Sequence, residues 1–149
     1  MSQDFSSTAF VLVHGAWHGA STYERVIPLL AAKGYLAVAR DLPAHGLNAR
    51  FPASYGRRPL DAAAFAREPS PVAHVTLDDY ADSVIATIDQ VRAAGCDKVV
   101  LVAHSMGGVV ATAVAERAPE KLSKLVYLTA FMPGSGVPGI SYIQEPENE

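Results

Sequence analysis

The run Lys98-Val99-Val100-Leu101-Val102 leads directly into Ala103-His104-Ser105-Met106-Gly107-Gly108. The first segment predicts a buried strand, and Met106–Ala118 predicts the helix behind it. A serine between strand and helix, with small residues two places to either side, makes a nucleophile elbow. So sharp a turn strains the serine backbone, and glycines are needed nearby because a Cβ would clash. Ala103 stands where the G-x-S-x-G pattern has its first glycine, so the pattern by itself is loose. The strand, the helix and the second glycine, Gly108, supply its context. Ser105 is the candidate nucleophile.

The rest of the chain repeats this alternation. Ala9–Val13 is a continuous apolar run that ends in His14-Gly15, as in a fully buried strand. Ser21 and Glu24 form the S-x-x-E pattern of a capping box, and Gly34 marks an end. Pro28 within that span predicts a kink or a late start. Tyr35–Ala39 reads as the second strand. Residues 41–76 have poor periodicity and many prolines and glycines, with one short helix expected at Asp61–Arg67. Thr76 is the expected N-cap of the clearest helix. There Leu77, Tyr80, Ala81, Val84, Ile85, Ile88 and Val91 fall at helical spacing, and Gly95 ends the run. Asp78, Asp79, Asp82 and Asp89 lie off that stripe and read as a solvated face. Leu125–Leu128 is the fourth strand. This order predicts an α/β fold, a mainly parallel sheet with helices on both faces. Right-handed crossovers then gather the loops at His14-Gly15-Ala16, Asp41-Leu42-Pro43 and Ser105 along one sheet edge.

Composition narrows the function classes. The chain has 12 basic and 15 acidic residues among 149, a net charge of −3. That leaves no electrostatic footprint for nucleic acid and no polybasic patch for a membrane surface. Cys96 is the single cysteine, so no internal disulfide can form. No stretch approaches transmembrane length and the start does not read as a signal peptide, so the expected location is cytoplasmic.

A free serine hydroxyl is a poor nucleophile and needs a base. The oxyanion made by attack on an ester needs fixed N–H donors. Met106, at the start of its helix, supplies one expected donor. Ala16, in the glycine-rich loop after the first strand, supplies the other. Trp17, His18 and His104 are the expected substrate-binding side chains, although His104 should point away from Ser105 across the elbow. His14 is expected to brace the oxyanion loop, His45 to fix its own loop, and His74 to lie on the surface. No two histidines have metal-ligand spacing, so neither a metal nor a cofactor is implied.

Phe10 to Gly19, Asp41-Leu42-Pro43-Ala44-His45-Gly46, Ala103 to Gly108 and Leu128-Thr129-Ala130-Phe131-Met132-Pro133 together resemble the α/β-hydrolase superfamily. The resemblance is strongest to the small carboxylesterases grouped with plant methylesterases and hydroxynitrile lyases. It implies a serine esterase that works through an acyl-enzyme on a small ester or lactone. Relatives that cleave cyanohydrins typically carry threonine at the position of Gly15 and often glutamate at that of His104, so the lyase is the weaker alternative. The family order is serine, then acid, then histidine. No histidine follows His104 here. Glu145, Glu147 and Glu149 are poor triad acids because no strand presents them to Ser105. The expectation is therefore that residues 1–139 are the N-terminal part of the core and residues 140–149 the start of a cap or linker. The remaining strands, the acid and the histidine would lie on a second polypeptide. The competing reading is a catalytically silent remnant that binds a hydrophobic small molecule or a partner.

Overall fold

In a computed structural model, described for residues 6–144, the chain forms a four-stranded sheet with every neighbouring pair parallel. The strands are β1 (Thr8–Val13), β2 (Leu36–Ala39), β3 (Lys98–Ser105) and β4 (Lys124–Ala130), in spatial order β2-β1-β3-β4. The register aligns Val11 with Val38 on one side and with Leu101 on the other. Leu101 in turn aligns with Leu125. The helices are α1 (Val26–Ala31), α2 (Ala62–Arg67), α3 (Leu77–Ala93) and α4 (Gly107–Arg117). Glu145, Glu147 and Glu149 lie outside the described residues.

Side-chain alternation along the strands decides where the core sits. Ala9, Val11, Val13, Val99, Leu101 and Ala103 share one sheet face and are buried against Ala81, Val84, Ile88 and Val91 of α3 and Val110, Ala111 and Val114 of α4. Ile88 and Leu101 are fully buried, each worth about 1.5–3 kcal/mol. On the opposite face Leu12 is buried, but Phe10, Val100, Val102 and Val126 are only half-buried. The α4 side of β4 is pinned by a hydrogen bond of 2.7 Å between the Thr112 and Tyr127 hydroxyls.

The helix expected from Ser21 to Gly34 is replaced by a 3-10 turn over Ala20–Tyr23 and a short α1 that begins only at Val26, with no side-chain cap. Pro28 is the reason. At the third helical position its missing N–H is one that the first turn leaves unpaired anyway, so the helix must start just before it. The excursion after β2 carries α2, capped by Asp61, whose carboxylate accepts the Ala64 N–H at 2.9 Å. Glu68 closes this excursion by accepting the Ala53 and Ser54 N–H groups at 2.8 and 2.9 Å.

Thr76 caps α3 in a reciprocal box. Its hydroxyl accepts the Asp79 N–H at 3.3 Å, and the Asp79 carboxylate accepts the Thr76 N–H at 2.8 Å. Replacing Thr76 with alanine should lower the unfolding free energy by about 1 kcal/mol, read as a lower urea midpoint with an unchanged slope. The other three aspartates do more than face solvent. Arg117 pairs with Asp78 and Asp82, and the Lys121 ammonium with Asp89 at 2.6 Å. All are at least partly exposed, so each contributes well under 1 kcal/mol. Their effect is to join α3 to the end of α4 and the turn after it.

Candidate active site

All three strand-to-loop exits named from the sequence meet at the C-terminal edge of the sheet. Ser105 ends β3 with φ of +53°, in the left-handed region that costs a side-chain-bearing residue roughly 1–2 kcal/mol. The strain is held on both sides. The Phe131 N–H donates to the Ser105 carbonyl at 3.1 Å, next to an irregular register where Ser105 aligns with Ala130. The loop after β1 closes on the serine from the other side. A Cβ on Gly15 would lie 2.8 Å from Ser105 Cβ and 3.3 Å from its Oγ, so a side chain there would push the loop and the serine apart.

Ser105 opens into an apolar cavity of about 550 Å³. Ala16, Trp17 and Met106 line it beside the serine, with Tyr80 of α3, Phe131 and Ile140 on its other walls. Among the described residues, neither the Ala16 N–H nor the Met106 N–H donates to another group. Both oxyanion candidates thus carry a spare donor at the rim of the cavity that holds the serine.

The substrate-side residues divide. Trp17 lines the cavity and is 97% exposed, at φ of +59°, a strained conformation for a bulky side chain. His18 lies instead in a neighbouring, more polar cavity of about 560 Å³ with His45 and Phe51, which Trp17 also borders. His104 lines neither cavity. Strand alternation turns its ring away from Ser105, so its Nδ1 is buried beside Gly15 without a hydrogen-bond partner and its ring meets that of His18 at 6.0 Å. Phe51, Tyr55 and Phe65 pack on one another, with ring separations of 4.7 and 6.1 Å, and none of them lines the serine cavity.

His14 is fully buried between the two loops. Its Nδ1–H donates to the Gly15 carbonyl at 2.8 Å, and its Nε2 accepts the Leu42 N–H at 3.1 Å. That pairing requires the neutral ring. Burial, above all, holds its pKa below the ordinary value of 6.5. An unfolded His14 takes up its proton near pH 6.5, whereas the folded one resists it. The stability tied to the neutral ring is therefore complete above pH 6.5 and declines as the pH falls below it. Asp41 and Asp79 are held below their ordinary 3.8 and lose their contributions only in a more acidic window. Urea midpoints should thus fall between pH 7 and pH 5, and His14→Gln should flatten that slope.

His45 donates from Nδ1 to the Pro43 carbonyl at 3.0 Å and packs against Tyr80, while His74 is exposed. Among the described residues no imidazole hydrogen-bonds the Ser105 hydroxyl, and no group of three or more His, Cys, Asp or Glu could hold a metal ion. Among the described residues no helix is long and apolar enough to cross a membrane.

Two features escaped the sequence reading. In the sequence Tyr80 and Leu77 stand out only as members of an apolar stripe at helical spacing, yet both line the cavity. Asp41 was placed only at the correct sheet edge. Its carboxylate accepts the Ala20 N–H at 2.6 Å and the Leu47 N–H at 2.8 Å, and these donors, that of Leu47 first, hold its carboxyl below the ordinary range. Gly19 and Gly46, each too close to that carboxylate to carry a Cβ, were the available signal.

Known proteins bear on this arrangement. The chain is 36% identical over 137 residues to methylesterase 9 of Arabidopsis thaliana, covering 91% of this chain and 44% of that protein. It is 34% identical over 140 residues to salicylic acid-binding protein 2 of Nicotiana tabacum, covering 94% and 45%. Among solved structures, polyneuridine aldehyde esterase superposes with a TM-score of 0.69 at 27% identity, over 93% of this chain and 48% of that one. The chain thus spans less than half the length of these relatives. The sequence profile of the alpha/beta hydrolase family matches residues 10–146. With a parallel sheet, a strained serine at a strand-to-helix turn and a profile match along nearly its whole length, this chain belongs to the alpha/beta hydrolase family.

Proposed function

We propose that this chain supplies the nucleophile and oxyanion hole of a serine esterase. The observation that carries the reading is Ser105, held at φ of +53° on an apolar cavity between two spare N–H donors from separate elements. Ser105 Oγ attacks the acyl carbon while a base takes its proton. The Ala16 and Met106 N–H groups hold the oxyanion, each such donor being worth about 10²–10³ in rate. The carbon–oxygen bond to the leaving alcohol breaks, and the base returns the proton to that alkoxide. Water, activated by the same base, releases the acid and regenerates the serine. No cofactor is invoked.

The base and its carboxylate partner come from outside this chain, on a second polypeptide that completes the fold. Two observations support this. The histidines here are committed elsewhere or lie away from Ser105. The outer edge of β4 is unpaired among the described residues, an edge that invites another strand, and Leu128 on the open sheet face is 47% exposed. Ile140 on the cavity wall supports reading the segment from residue 140 as the start of a cap or linker. Names such as methylesterase and carbendazim hydrolyzing esterase among the relatives favour a small ester, and the apolar cavity favours an uncharged one. The charge balance and lone cysteine fit a cytoplasmic setting.

The test is intact mass spectrometry of the purified protein before and after a fluorophosphonate probe. The reading expects one adduct on this chain, with any companion polypeptide visible in the same spectrum. An unmodified chain would favour the silent, ligand-binding alternative, which the absence of an imidazole bonded to Ser105 among the described residues otherwise supports.

A further inference from the structure

The loop that carries Ala16 and Trp17 has a strained tip and two firm flanks. Before the tip, His14 is fully buried and accepts the Leu42 N–H. After the tip, the Ala20 N–H donates to the Asp41 carboxylate at 2.6 Å. Both anchors therefore reach the same pair of adjacent residues, Asp41 and Leu42, at the end of β2. That pair is itself fixed. Asp41 also accepts the Leu47 N–H at 2.8 Å, and the Asn48 side-chain amide donates to the Asp41 carbonyl at 3.1 Å. Gly19 and Gly46 let the two loops close on the carboxylate from either side, where a Cβ would collide with it. Between the anchors, Trp17 sits at φ of +59° with its ring almost wholly in solvent, so its own packing cannot hold that conformation.

We propose that Asp41 is a positioning residue for Ser105 chemistry: its carboxylate, clamped between the Ala20 and Leu47 N–H groups, fixes the strained Ala16–Trp17 tip and with it one oxyanion donor. This rests on the reading of Ala16 as that donor. An oxyanion hole works only if its donors are fixed before charge develops, because reorganising them costs what their hydrogen bonds return. Within the β1 loop, the His14 Nδ1–H holds the Gly15 carbonyl at 2.8 Å and so orients the peptide that carries the Ala16 N–H, but Trp17 and His18 have no such bond before Ala20 among the described residues. Their fixing comes from the β2 loop, 21 residues further along the chain from Ala20.

Trp17 is the only tryptophan in the sequence, so its fluorescence reports on the tip directly. Asp41→Asn keeps the shape but turns an NH₂ toward one of the two N–H donors. Ala20→Pro deletes one donor and leaves the carboxylate. Proline is tolerated there, at the first position of a 3-10 turn after an extended Gly19. The experiment measures Trp17 anisotropy decay and the fluorophosphonate labelling rate of Ser105 in the protein as isolated, with far-UV circular dichroism as the check on folding. Both variants should enlarge the fast local component of the Trp17 decay and slow labelling by roughly tenfold to a hundredfold, the penalty of a misplaced group. If wild-type Ser105 is not labelled but Trp17 loosens in the variants, the esterase reading fails while Asp41 still holds the loop. A folded Asp41→Asn protein with unchanged Trp17 decay overturns the proposal, and so does a loosened Trp17 with undiminished labelling. Should Asp41→Asn not fold, Ala20→Pro decides by the same criteria.

Discussion

Ser105→Ala should abolish fluorophosphonate labelling and lower ester turnover on the order of 10⁶-fold in the proposed complex with the second polypeptide. With Oγ gone no acyl-enzyme can form, and under the proposed mechanism only the stabilisation of direct water attack by the Ala16 and Met106 N–H groups would remain. The variant should fold as well as the parent or better. Alanine removes a hydroxyl that makes no hydrogen bond among the described residues, and the positive φ at this position remains. Labelling is followed by intact mass and turnover by release of a chromogenic alcohol. Persistent labelling of the alanine variant would move the nucleophile to another residue.

The largest effect on stability should come from Gly108→Ala. A Cβ there would run into the Phe131 carbonyl oxygen and would lie 2.9 Å from Ala130 Cβ and 3.0 Å from the Phe131 carbonyl carbon. These are mostly backbone atoms, and Phe131 is tied through its N–H to the Ser105 carbonyl, so it cannot swing aside cheaply. α4 must instead lift from β4, which weakens the Thr112–Tyr127 bond and the packing of Val110 and Ala111. The expected loss is about 3 kcal/mol, the upper range for forced overpacking. Gly56→Ala serves as the control, because open space surrounds that position and the change should stay within about 0.5 kcal/mol. Urea denaturation of the two variants beside the parent measures the contrast. The same lift would drag the Met106 N–H away from Ser105, so Gly108→Ala should also slow labelling.

Local signals explain what the sequence made legible. The elbow could be read because strand, serine and glycines are consecutive, and a strained turn leaves little freedom of composition. α3 could be read because its apolar stripe runs at helical spacing and Thr76 and Asp79 sit three apart. The Ser21–Glu24 pair shows the opposite case. The same spacing that caps α3 caps nothing there, because Pro28 sets the helix start and the Glu24 N–H donates to the Ser21 backbone carbonyl instead of its hydroxyl. Tertiary geometry overruled a correct local pattern. His18 and His104 show a related limit. Each neighbours a residue that lines the cavity, but a one-residue step reverses direction along a strand or around a strained loop, and adjacency does not determine which side faces the substrate. Asp41 is the clearest case of information carried between segments. Its partners Ala20 and Leu47 lie far apart in the chain, and no spacing rule connects them.

The central claim is that an acyl group passes through Ser105. Its most direct test is to mix the protein as isolated with p-nitrophenyl acetate, quench in acid during the first turnover, digest with trypsin and locate the acetyl group by fragmentation. Cleavage after Lys98 and Arg117 isolates one peptide that contains Ser105. Acetyl should appear on Ser105, approaching one equivalent and vanishing as the substrate is exhausted. Turnover with Ser105 unmodified, or acetyl confined to other side chains, would contradict that claim.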